Sequence, residues 1–188
     1  MFERFTKDAR EVVKGAVAQA EDERARTVDA GHLLLALLGR EAGRGSSVLA
    51  ALGVTARRDS MIRALAEARR RAGLSQAETE ALAGLGIDVA QIVARVEEVH
   101  GTGAMSGSPK GKAWWGGGRP SFGREARTVL EKSLRVALAR RDRSIGDQHL
   151  LLALTTLPGV PAEVLADHGV TYESVTRVLD GEGGARAG

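Results

Sequence analysis

The sequence predicts an all-α protein, a pseudo-twofold duplicated four-helix repeat that forms an eight-helix bundle. Three observations predict it. The chain is written twice: Phe5–Leu65 recurs as Phe122–Leu179 with one residue deleted on the way. An internal repeat fixes architecture before any other reading, and two copies are too few for a solenoid, so a pair sharing one core is expected. Composition agrees: 43% of residues are hydrophobic but only 3% aromatic, and the apolar set is mostly Leu, Ala and Val beside many Arg and Glu, a mix dominated by helix formers. Apolar residues also recur at helical spacing, and no segment alternates with period two for long enough to suggest a strand.

The first helix starts at Thr6, a suitable N-cap. Its stripe Ala9, Val12, Val13, Ala16 and Ala20 is matched by Ala126, Val129, Leu130, Ser133 and Ala137. The second helix starts near Asp29 and Asp147, acids that suit a helix N-terminus. It continues as Gly31-His32-Leu33-Leu34-Leu35-Ala36-Leu37 in one copy and Gln148-His149-Leu150-Leu151-Leu152-Ala153-Leu154 in the other. A helix apolar nearly all round belongs at the centre of a protein. A short third helix carries Val48, Leu49 and Leu52, or Val164 and Leu165. Pro158 ends the helix before it, Pro161 suits its first turn, and Gly53 and Gly169 close it. Thr55 and Thr171 are expected to cap the fourth helix, whose apolar residues are Met61, Ile62 and Leu65, or Val175, Val178 and Leu179.

The segment between the copies has no twin. Ser75-Gln76-Ala77-Glu78 has capping-box form and should open a short helix, and Asp88 should cap another carrying Val89, Ile92, Val93 and Val96. Gly, Ser, Pro and Lys then dominate to Pro120, the composition of a linker. The expected organisation is repeat one over 1–72, inserted helices over 73–100, linker over 101–120, repeat two over 121–180 and a frayed Gly-rich tail over 181–188.

Composition also limits function. The absence of cysteine excludes disulfides and thiolate metal sites and suits a reducing compartment. No apolar run approaches a membrane span, and Met1-Phe2-Glu3-Arg4 lacks the features of a signal peptide, so the expected location is the cytoplasm. The net charge is +3, with 27 basic residues offset by 24 acids. Arg57-Arg58, Arg69-Arg70-Arg71 and Arg140-Arg141 with Arg143 read as solvated helix faces and ends. The alternative, a nucleic-acid or regulatory module, would want a more one-sided balance with interleaved aromatics. No nucleophile elbow or H-E-x-x-H motif is present, and no catalytic residue is nominated.

The opening Met1-Phe2-Glu3-Arg4-Phe5-Thr6, the doubled His-Leu-Leu-Leu-Ala-Leu block and the doubled Gly-Val-Thr together resemble the Clp N-terminal repeat domain of ring-forming Clp chaperones, most closely the ClpC type. The resemblance covers residues 1–72 and 120–180. It implies an eight-helix docking platform for adaptors and protein substrates that performs no chemistry and needs no cofactor. It also implies a Clp ATPase, its adaptors or its substrates as partners, and cyclic-peptide ligands at a groove bordered by the N-terminal segment and first helix.

Three departures from that pattern matter. The ring ATPase is missing, which reads as a free-standing module. The nearest approach to a phosphate loop, Gly107 to Ala113, is one residue short between glycines and lacks the hydroxyl after Lys112. ClpC-type domains carry Glu before each repeat histidine to grip the guanidinium of phosphoarginine. Here those positions are Gly31 and Gln148, neither of which supplies the carboxylate, so that mode is expected to be lost. The segment from Ala72 to Pro120 is also longer than usual and holds Trp114-Trp115 beside Lys110 and Lys112.

The candidate protein-binding residues are thus Phe2, Phe5 and Lys14 at the front of the chain and Trp114 and Trp115 in the linker. Phe5 reads equally as a staple closing the first helix. The tryptophans read as an interface anchor or as a cover over an apolar groove. His32 and His149 invite a metal or proton-transfer reading. No further ligand follows at suitable spacing, so a structural role at the helix start is expected.

Overall fold

The computed structural model describes residues 4–70, 76–100 and 119–184. Ten helices form among them, eight in the repeats and two in the insert. Repeat one contains α1 (Lys7–Asp22), α2 (Ala30–Leu38), α3 (Arg44–Ala51) and α4 (Arg58–Arg70). The insert contributes α5 (Gln76–Gly84) and α6 (Val89–His100). Repeat two contains α7 (Arg124–Ala139), α8 (Asp147–Thr156), α9 (Val160–Asp167) and α10 (Tyr172–Gly184).

Thr6 caps α1 by accepting the Ala9 N–H at 3.2 Å. The five stripe residues of α1 are all buried, as are their five counterparts on α7. Helices α1 and α7 end alike: Arg24 and Arg141 take the left-handed conformation, with φ 54° and 60°. The N–H groups of Ala25 and Asp142 then return to the carbonyls of Ala20 and Ala137 at 2.8 and 2.9 Å, closing Schellman turns. Glycine does the same work after α3 and α9, where Gly53 and Gly169 have φ 72° and 77°.

Helices α2 and α8 meet at the centre. Leu33, Leu34, Leu37, Leu150, Leu151 and Leu152 are fully buried there, each contributing about 1.5–3 kcal/mol of burial. Around this pair the halves exchange contacts: α3 packs on α8 while α9 packs on α2, and α4 packs on α9 while α10 packs on α3. Each repeat therefore finishes its core with helices of the other.

The exchange extends to the backbone. Strand β1 (Thr27–Val28) pairs in parallel with β2 (Ser121–Phe122). A single bridge pairs Phe5 with Ile145. Since Phe5 is the repeat-mate of Phe122, and Ile145 that of Val28, these are one pairing made twice. Two short strand pairs form where none was expected, and the all-α class stands. Two residues are too few to show a period in sequence.

Three more expectations change. Thr55 does not cap α4 but begins a 3-10 turn, Thr55–Arg57. That turn absorbs the two extra residues that separate Thr55 from Met61, relative to Thr171 and Val175, so a single deletion does not align the copies. Thr171 does cap α10, exchanging hydrogen bonds with Ser174 at 3.2 and 2.9 Å. Helix α10 runs on to Gly184, past the expected fraying point.

In the insert, Asp88 caps α6 through the Gln91 N–H at 3.1 Å. Ser75 lies outside the described residues, although α5 opens directly after it. Val89 and Val93 are buried, whereas Leu85, Ile92 and Val99 are exposed.

Candidate functional site

The two repeat histidines stand at the first turns of the central helices. His149 Nδ1 accepts the Gly146 N–H at 3.0 Å, so its proton sits on Nε2 and is donated to Asp142 Oδ2 at 2.8 Å. His32 occupies the same place on α2. The backbone N–H of Asp29 reaches its Nδ1 at 3.1 Å, Asp29 Oδ1 accepts the His32 N–H at 2.9 Å, and Nε2 meets Glu23 at 3.2 Å. Each imidazole thus plays the part of the N3 residue of a capping box. Burial holds the His149 imidazole below its usual pKa, with the Asp142 carboxylate opposing. Each ring is engaged within its own repeat, and no cluster of three metal-ligating side chains occurs among the described residues.

Only one of the two boxes has a side chain at its cap. Asp29 has Gly146 as its mate, and the acid of repeat two falls one residue later, where repeat one has Ala30. That shift turns Asp147 into the core and across the seam, where its Oδ2 accepts the Gly45 N–H of α3 at 2.9 Å. Burial raises its pKa, and the Gly45 hydrogen bond pulls the other way. The carboxylate occupies space that a side chain would need: a Cβ at Gly43, whose φ is 125°, would collide with Asp147 Oδ2.

Beside this crossing, a cleft of about 250 Å³ opens between the repeats, lined by Arg44, Arg140, Asp142, Gln148, Leu179 and Asp180. Arg140 is paired with Asp180 at 2.5 Å and Asp142 with His149. Gln148 is 7% exposed, and its side-chain amide folds back over Gly146, where a Cβ would strike Oε1.

The candidate binding residues are placed as follows. Lys14 is exposed on α1 and pairs with Glu11 at 2.9 Å. Phe5 is 4% exposed, so it is a seam residue rather than an exposed anchor. Gly31 is buried in the first turn of α2, while Gln148 alone of the two family positions lines a cleft. Phe2, Trp114 and Trp115 lie outside the described residues. Sequence reading missed Arg44, Asp142, Asp147 and Asp180. For Asp147 a signal existed, a charged residue facing alanine in otherwise matching blocks.

These features define a duplicated, interlocked helical module with an open polar cleft on its seam. The chain belongs to the family of the Clp repeat (R) N-terminal domain, which matches residues 4–80 and 121–185. Such domains are protein-interaction modules of Clp chaperones.

Solved structures share the fold. The N-terminal domain of the caseinolytic protease associated chaperone ClpD from Arabidopsis thaliana is 17% identical. It matches with a TM-score of 0.59 over 96% of this chain and 97% of that one. A structure from investigations of a malarial protein secretion system is 12% identical, with a TM-score of 0.54 over 95% and 94%. Among the described residues no single helix is long and apolar enough to cross a membrane.

Proposed function

We propose that this chain is a cytoplasmic docking module of ClpC type. It holds polypeptide clients or adaptors for a Clp ATPase–protease, or competes for them with that enzyme's own N-terminal domain. The observation that carries this reading is the open cleft where α3 of one repeat meets α8 of the other, in a domain whose family binds proteins. Its lining mixes charge, amide and an aliphatic wall, a surface suited to a peptide. Cyclic peptides are small enough to use the same surface. Phosphoarginine is disfavoured as a ligand, because Gly31 and Gln148 bring no carboxylate to a guanidinium.

The test is degradation of a model client by a purified Clp ATPase–protease, with this chain titrated in. Delivery speeds loss of the client and competition slows it. An unchanged rate, together with failure to retain client or ATPase in a pull-down, would rule the reading out. Retention of nucleic acid that falls steeply with salt would replace it with the arginine-cluster alternative.

A further inference from the structure

We propose that the seam cleft binds a carboxylate of an acidic peptide segment, with Gln148 and Arg44 as its donors. This rests on the docking reading above and names the chemistry of its ligand.

Three observations lead to it. Gln148 is more than nine-tenths buried, lines the cleft and makes no side-chain hydrogen bond among the described residues. The fully buried side-chain atoms without a partner among the described residues are Gln19 Oε1 and Thr176 Oγ1, so the Gln148 amide faces the water of the cleft, where a ligand atom can take that water's place. Its neutral NH₂ is a donor suited to a carboxylate oxygen. Second, the charges lining the cleft are committed except for one. Asp142 is held by His149, and Asp180 by Arg140. Arg44, exposed at the first turn of α3, has no ion pair among the described residues. The uncommitted charge is therefore positive, and its planar fork of donors fits a carboxylate.

Third, the cleft lies where two helix N-termini converge, those of α3 and α8, and their positive ends favour an anion. A carboxyl group already uses this geometry: Asp147 accepts the Gly45 N–H a short way inside the seam. Leu179 supplies an apolar wall, which selects an acidic residue next to an aliphatic one.

The experiment is an NMR titration of the ¹⁵N-labelled chain with three peptides. One is an acetylated, amidated hexapeptide with two glutamates flanking a leucine. The second replaces the glutamates by glutamines, and the third keeps the glutamines but has a free C-terminus. The glutamate peptide should shift the Gln148 side-chain NH₂ and the Gly45 and Gly146 amides. Its affinity should fall at least fivefold in Arg44→Ala and in Gln148→Glu, and fall with added salt, while Arg57→Ala behaves as wild type. Arg44 is exposed, so its loss leaves folding intact, and dispersed spectra verify this.

Binding of the free-C-terminus peptide alone would assign the site to chain ends rather than acidic side chains and overturn the proposal. So would equal binding of glutamate and glutamine peptides, or an Arg44→Ala variant of unchanged affinity. If the peptides bind only elsewhere, this site fails and the docking reading survives. If none binds anywhere and no client is retained, both fail.

Discussion

Phe5 and Ile145 form a parallel bridge between the two repeats, with Thr6 N–H donating to the Ile145 carbonyl at 2.9 Å and Ile145 N–H to the Arg4 carbonyl at 2.7 Å. Their mates Phe122 and Val28 repeat the relationship, with Gly123 N–H donating to the Val28 carbonyl at 2.9 Å. The start of each repeat is thus held by the loop between the first two helices of the other.

Truncating that contact should be felt across the molecule. Phe5→Ala is expected to destabilise by about 3–5 kcal/mol, the range for a buried phenylalanine. Urea unfolding followed by circular dichroism would show a lowered midpoint. A midpoint within error of wild type would mean that Phe5 does not anchor the seam.

His149 should make stability depend on pH. Burial lowers its folded pKa below the ordinary 6.5, against Asp142 and aided by Arg140 and Arg44. As pH falls through 6.5 the unfolded chain takes up a proton before the folded one does, so folding weakens. The His149 contribution is complete above pH 6.5 and is lost on acidification towards the depressed folded value. His149→Gln keeps a capping-box acceptor at N3 but cannot titrate. Its melting temperature should fall less than that of wild type between pH 7.5 and 5.5. Parallel curves would refute the assignment.

Arg24 and Arg141 sit in the left-handed region, where an L side chain is strained. Arg24→Gly and Arg141→Gly should each raise stability, by up to about 1 kcal/mol. A rise of several degrees in melting temperature is expected, and a fall would show that the arginine side chains contribute more than the strain removes.

Gly43 and Gly159 offer a matched comparison, with φ 125° and 134°. Alanine at either position meets backbone strain of about 1–3 kcal/mol. Only at Gly43 does it also strike the Asp147 carboxylate, since at Gly159 the added carbon would lie 3.9 Å from Pro161 Cδ, an ordinary contact. Gly43→Ala should therefore be the more destabilising of the two in chemical denaturation. Equal losses would mean that Asp147 moves aside freely.

The repeat, the helix order and the buried leucines were legible because a helical stripe shows which face of a segment seeks the core. The Thr6 and Asp88 caps were legible for a similar reason, being local chemistry. What a stripe does not reveal is which element covers it. Hence the exchange of α3 and α9 between halves and the strand pairs escaped the sequence reading, while the packing of Phe5 was one of its two readings. The cleft escaped too, because Arg44 and Gln148 are far apart in the chain and each alone resembles an ordinary surface or helix-start residue. Its one visible trace was asymmetry, an aspartate at position 147 where the other copy has Ala30.

The reciprocal bridging also sets an order on synthesis. Phe5 is made before Ile145, which follows only after both inserted helices and α7. At roughly 5–20 residues per second, the first repeat waits on the order of ten seconds for its partner. During that time the apolar stripe of α1 stays open to whatever holds emerging chains, and a product truncated before Ile145 would never close its first half.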